Sequence, residues 1–99
     1  MRIISKKALR EFWQQDSSAR NRLKAWFNRV QDEEWSNPQE VLNTYPTASS
    51  VGDGRFVFRL GNDYRLVTYI AFDYYTVYIK WVGSHDEYDD IDVTEVDEY

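Results

Sequence analysis

The hydrophobic period of this chain changes once, between Leu42 and Arg55, and the change limits it to a few architectures. Before it, Leu23, Trp26, Phe27 and Val30 fall at i, i+3, i+4 and i+7, the apolar stripe of an amphipathic helix. After it the period is two. Phe56, Phe58 and Leu60 alternate with Val57 and Arg59, and Leu66, Thr68, Ile70 and Phe72 alternate with Arg65, Val67, Tyr69 and Ala71. A third run, Thr76 to Val82, puts Val77, Ile79 and Trp81 on one face and Tyr78 and Lys80 on the other. With turns at Gly61-Asn62-Asp63 and Asp73-Tyr74-Tyr75, these three strands read as an antiparallel meander.

The first half supplies the covering layer. Arg2-Ile3-Ile4 is a short strand, and Ser5 stands at the cap of a helix carrying Ala8, Leu9, Phe12 and Trp13. Gln14 to Ser18 breaks that helix, and Asp16, Ser17 or Ser18 can cap the next. Asn37, Pro38 and Glu40 mark the start of a further short helix in capping-box style, which Tyr45-Pro46 ends. Residues 46–54 read as loop. The order predicts an α+β fold: an N-terminal strand and helical hairpin packed on an antiparallel sheet, with the second sheet face left open. Ninety-nine residues are enough for one domain, placed at residues 1–92, followed by a flexible tail, 93–99.

Charge is divided unevenly along this chain. All twelve Lys and Arg lie in residues 1–85 with nine acids, a balance of +3, whereas residues 86–99 hold eight acids and no base. A basic body admits a phosphate-bearing partner. The acidic run reads as a solvated terminus, or more sharply as a shield over a basic surface.

Competing chemistries fare worse. There is no cysteine, and one histidine alone makes no zinc pattern. Asp86 to Asp92 lacks the alternating ligands and central glycine of a calcium loop. Gly52-Asp53-Gly54 and Gly61 are turn glycines rather than a phosphate loop. Ser84 and His85 are adjacent, a poor geometry for nucleophile and base. Met1 to Lys7 runs directly into charge without an apolar signal core, and no run approaches a membrane span of about 18 apolar residues. A cytoplasmic protein is expected, with no membrane partner.

What remains is a polar group at the end of the last strand. Arg65 and Tyr69 share a predicted face with Tyr78 and Lys80, and His85, Tyr88 and Asp89 follow directly. These residue types suit cleavage of an RNA phosphodiester by its own 2′-hydroxyl: a proton must leave that hydroxyl, cations must stabilise the phosphorane, and the 5′-oxygen must gain a proton. Arg65 and Lys80 supply the cations, His85 an imidazole that can exchange a proton, Tyr88 offers a ring and a hydroxyl, and Asp89 can orient His85. Arg59, Tyr69, Tyr78 and Lys7 are the expected RNA-binding residues. No metal or cofactor is expected.

The chain also resembles, along residues 1–92, the HigB family of type II toxin–antitoxin toxins. The resemblance is carried by Met1 to Trp13, Trp35-Ser36-Asn37-Pro38 through Tyr45-Pro46, Val51 to Phe58, Tyr64-Arg65-Leu66-Val67 and Val82 to Asp92. It implies a RelE-like fold and an mRNA interferase acting on the translating ribosome, with a HigA-type helix-turn-helix antitoxin as partner. It also matches Arg65, His85, Tyr88 and Asp89 to the family's polar motif positions, and Lys80 to a commonly basic one. Asp90 stands where the family often has Lys, and Asp86 where Ala is common.

Overall fold

A computed structural model describes residues 1–99. The elements are β1 (Arg2–Ile4), α1 (Lys6–Gln15), a 3-10 turn (Ser17–Ala19), α2 (Arg20–Gln31), α3 (Pro38–Thr44), β2 (Ser49–Ser50), β3 (Arg55–Leu60), β4 (Tyr64–Ala71), a 3-10 turn (Phe72–Tyr74), β5 (Thr76–Ser84) and α4 (His85–Tyr88). The five strands form one sheet in the order β1-β5-β4-β3-β2. The predicted meander is β3-β4-β5. β1, for which the sequence pattern assigns no partner, joins the outer side of β5 in parallel, Arg2 opposite Thr76.

Helix boundaries follow local chemistry. Ser5 occupies the N-cap of α1 without a side-chain bond, while Asp16 accepts from Ser18 N–H and starts the 3-10 turn into α2. At α3, Asn37 accepts from Glu40 N–H, and Pro38 needs no donor at the first helical position. Glu40 reaches back one residue further than a capping box, to the hydroxyl and N–H of Ser36, and these bonds hold its carboxyl below the usual carboxylate range. The Met1 ammonium closes the other end of α2 by donating to the Val30, Gln31 and Glu33 carbonyls, where the helix dipole favours positive charge.

The first sheet face carries the main core. Leu9, Leu23, Trp26 and Val30 from the hairpin meet Phe56, Phe58, Leu66, Ile70, Val77 and Ile79. Aromatic rings converge on Phe58, with Trp26 at 5.4 Å, Tyr45 at 5.3 Å and Trp35 stacked at 6.3 Å between centroids. Trp35 Nε1 donates to Thr44 Oγ1 at 3.0 Å, which fixes α3 against this cluster.

Two expectations about the second face are overturned. Trp81 does not share a face with Val77 and Ile79. The β4–β5 register shifts between Val67 and Thr68, which pair with Trp81 and Ile79, so Lys80 is an extra residue. The bulge turns Trp81 onto the second face beside Val57 and Val67. Nor is this face open or the C-terminal segment a loose tail. Ile91, Val93 and Val96, spaced among the acids, pack on Val57, Val67 and Trp81. Arg55 Nη1 donates to the Val93 and Val96 carbonyls at 3.1 and 2.8 Å, and Glu98 N–H donates to Lys80 O at 2.9 Å.

Candidate active site

The end of β5 and the β3–β4 turn assemble the polar residues. Tyr64 pairs with Ser84 and Arg65 with Gly83, so His85 emerges just beyond the start of β4. Its N–H donates to Asp63 O at 2.8 Å. Ser84 then caps α4: its hydroxyl accepts from Glu87 N–H while the Glu87 carboxylate accepts from Ser84 N–H, a reciprocal box absent from the sequence reading. Together these bonds fix the backbone of the sole histidine.

The β3–β4 turn is in turn fastened to the helical layer. Arg22 Nη1 lies 3.1 Å from Asp63 Oδ2, and its guanidinium covers Gly61, where a Cβ would fall 2.7 Å from Cζ. Gly61 also has φ +67°, in the left-handed region that favours glycine. Tyr64 Oη donates to Asp16 Oδ1 at 2.8 Å, and burial together with that carboxylate raises the phenol above its ordinary range.

Arg65 is 7% exposed and its Nη1 donates to three carbonyls, Tyr64 at 2.8 Å and Gly61 and Asn62 at 3.4 Å. Nε and Nη2 make no hydrogen bond within the chain and remain available as donors. The His85 side chain is 51% exposed; its Nδ1 lies 3.5 Å from Asp86 Oδ1. Asp89, expected to orient it, is exposed, caps the C-terminal end of α4 and forms no side-chain hydrogen bond or ion pair. Tyr88 is half-buried with its ring 6.3 Å from Trp81. A cleft of about 250 Å³ beside His85 is lined by Asp16, Asn62, Asp63, Tyr64, Ser84 and Asp86.

The remaining candidates are spread more widely. Lys80 lies on the second face but pairs with Asp97 at 3.0 Å, and Trp81 stands between it and the Arg65 end of the sheet. Tyr69 and Tyr78 lie side by side, ring centroids 6.0 Å apart, with Lys80 Nζ 5.9 Å from the Tyr78 centroid. Arg59 pairs with Arg65 across β3 and β4 and is exposed. Lys7 is not part of this group: it belongs to the helical layer across the sheet and pairs with Glu11 at 3.7 Å. Arg55 is a further basic residue on the second face, one the sequence pattern did not single out. Its place at the start of an alternating strand was the only available signal, and its partners are backbone carbonyls far along the chain.

Residues 19–91 match the family model HigB_toxin, described as the RelE-like toxic component of a toxin-antitoxin system. No curated protein gives a significant match.

Proposed function

Given that the chain belongs to the HigB toxin family, whose members are RelE-like toxic components of toxin-antitoxin systems, we propose that it cuts mRNA on the translating ribosome. Toxins of this family are typically ribonucleolytic, and membership implies an antitoxin partner. The reading is supported above all by the pairing of β4 with β5, which brings the half-free guanidinium of Arg65 to the strand end from which His85 emerges. In this reading His85 exchanges the proton and Arg65 neutralises the phosphate. Tyr88 stacks on a base or positions the 2′-hydroxyl, and Lys80, on the far side of Trp81, is a second cation for the RNA once it leaves Asp97.

Atoms balance without a further reactant. The 2′-oxygen bonds to phosphorus as its proton passes to a base, the bond to the 5′-oxygen breaks, and that oxygen takes a proton. A cyclic phosphate and a 5′-hydroxyl result. The protein acts in the cytoplasm, and its partner is a HigA-type helix-turn-helix antitoxin. No helix is long and apolar enough to cross a membrane.

One observation favours a second reading, a binding module without catalysis: the cleft beside His85 is lined by three carboxylates, those of Asp16, Asp63 and Asp86, which repel phosphate. Induced expression separates the two. Growth arrest relieved by His85→Ala or Arg65→Ala, at equal soluble protein, supports cleavage. Equal toxicity of His85→Ala removes the acid/base role, and no arrest with tight antitoxin binding favours the binding module.

A further inference from the structure

We propose that the C-terminal acidic segment is a built-in competitor for RNA, occupying the cations of the second sheet face that a nucleic-acid strand takes when the segment is displaced. The inference rests on the RNA-cleaving reading above and assigns that site a form of self-control.

The argument starts from where the cations of this face are spent. Arg55, Arg59 and Arg65 come from β3 and β4, and Lys80 from the β5 bulge. The C-terminal segment takes two of them, Arg55 through the Val93 and Val96 carbonyls and Lys80 through the Asp97 carboxylate. Arg65 is turned onto the β3–β4 turn, and Arg59 makes no ion pair. The acceptors that satisfy Arg55 and Lys80 are oxygen atoms on a segment of high negative charge. A phosphate backbone brings anionic oxygens that can replace both the carbonyls on Arg55 and the carboxylate on Lys80. Beside Lys80, the rings of Tyr69 and Tyr78 offer bases a stacking surface, and Tyr69 is 38% exposed.

The segment is also held in a manner that permits release. Ile91, Val93 and Val96 are half-buried rather than enclosed, and Asp97 is 59% exposed in its pair with Lys80. Salt screens such a pair, and a competing polyanion replaces it charge for charge.

The test measures binding of a short single-stranded 2′-O-methyl RNA, which cannot be cut, to the full chain and to two variants. Val96→Ser weakens the apolar anchor without altering charge; Asp97→Asn frees Lys80 without touching the anchor. Melting curves and amide exchange at Glu98, whose N–H donates to Lys80, report folding and segment release separately. Two freed cations predict binding about tenfold tighter at low salt for Val96→Ser, with a salt slope steeper by roughly 1.4. Asp97→Asn moves in the same direction by about half as much on the logarithmic scale. Equal RNA binding by all three proteins overturns the competitor while the cleavage reading stands. Tightening by Asp97→Asn but not by Val96→Ser overturns it too, since the charge then acts without docking. No binding by any of them removes the RNA reading itself and the competitor with it.

Discussion

The indole of Trp81 lies directly over Gly83 on the same strand, so close that a Cβ on Gly83 would fall 2.4 Å from Cη2. Gly83 is also the partner of Arg65 in the β4–β5 ladder. The absence of a side chain there lets the ring lie flat between the apolar patch of the second face and the end that carries His85. Gly83→Ala must move the indole or the strand, and overpacking of this kind costs about 1–3 kcal/mol. Chemical denaturation measures the loss. An unchanged midpoint would mean that the ring shifts freely.

Arg65 serves the turn as well as the proposed chemistry. Arg65→Lys keeps a charge, but the lysine ammonium must take the place of Nη1, which donates to the Tyr64, Gly61 and Asn62 carbonyls from a rigid guanidinium plane. Stability should fall by about 1.5–3 kcal/mol, the range for hydrogen bonds from a charged donor. Urea unfolding checks this, and toxicity of the same variant shows whether charge alone sustains function.

Asp63 separates two roles in one residue. Its carboxylate pairs with an exposed Arg22, whereas its backbone oxygen receives His85 N–H. Asp63→Ala should therefore cost no more than about 1 kcal/mol and leave the His85 ring signals in place. A large displacement of those signals would show that the carboxylate, not the backbone, positions the histidine.

The phenol of Tyr64 gives a pH dependence with a defined sign. Burial first, and then the Asp16 carboxylate, raise its pKa in the folded state, so the folded chain holds this proton more tightly than the unfolded one. Stability is fully present below the ordinary tyrosine pKa of about 10 and declines as pH rises through the folded value. Tyr64→Phe should lose about 1 kcal/mol at neutral pH, from the missing bond to Asp16, and flatten the alkaline decline. Melting temperatures from pH 8 to 11 provide the comparison, at roughly unit steps across the interval set by that pKa.

Much of the fold was legible because it is encoded locally. The stripe of Leu23, Trp26 and Val30, the cap at Asn37 and the alternation around Phe56 and Phe58 each declare their element within a few residues. The unread parts depend on distant partners. Nothing near Lys80 announces a bulge; it arises from pairing with Val67 and Thr68 and reverses the face of Trp81. Ile91, Val93 and Val96 sit in a run of acids whose composition suggests solvation, and only Arg55 and Trp81 show what they pack against. The same limit applied at the site. His85 and Arg65 were visible as residue types, but the bond from His85 to Asp63 O and the absence of any link to Asp89 needed three dimensions.

The parallel pairing of β1 with β5 imposes an order in time. Arg2 and Ile3 precede the rest of the sheet in the chain and must wait for Thr76 and Val77 before their strand has a partner. Such distant pairing slows folding relative to local contacts, and the sheet lacks its edge until the last strand exists. A chain still short of β5 also lacks the ladder that pairs Gly83 with Arg65 and leads His85 to the Asp63 carbonyl. Both edges of β5, the parallel one to β1 and the antiparallel one to β4, thus stay unformed until most of the chain has been made.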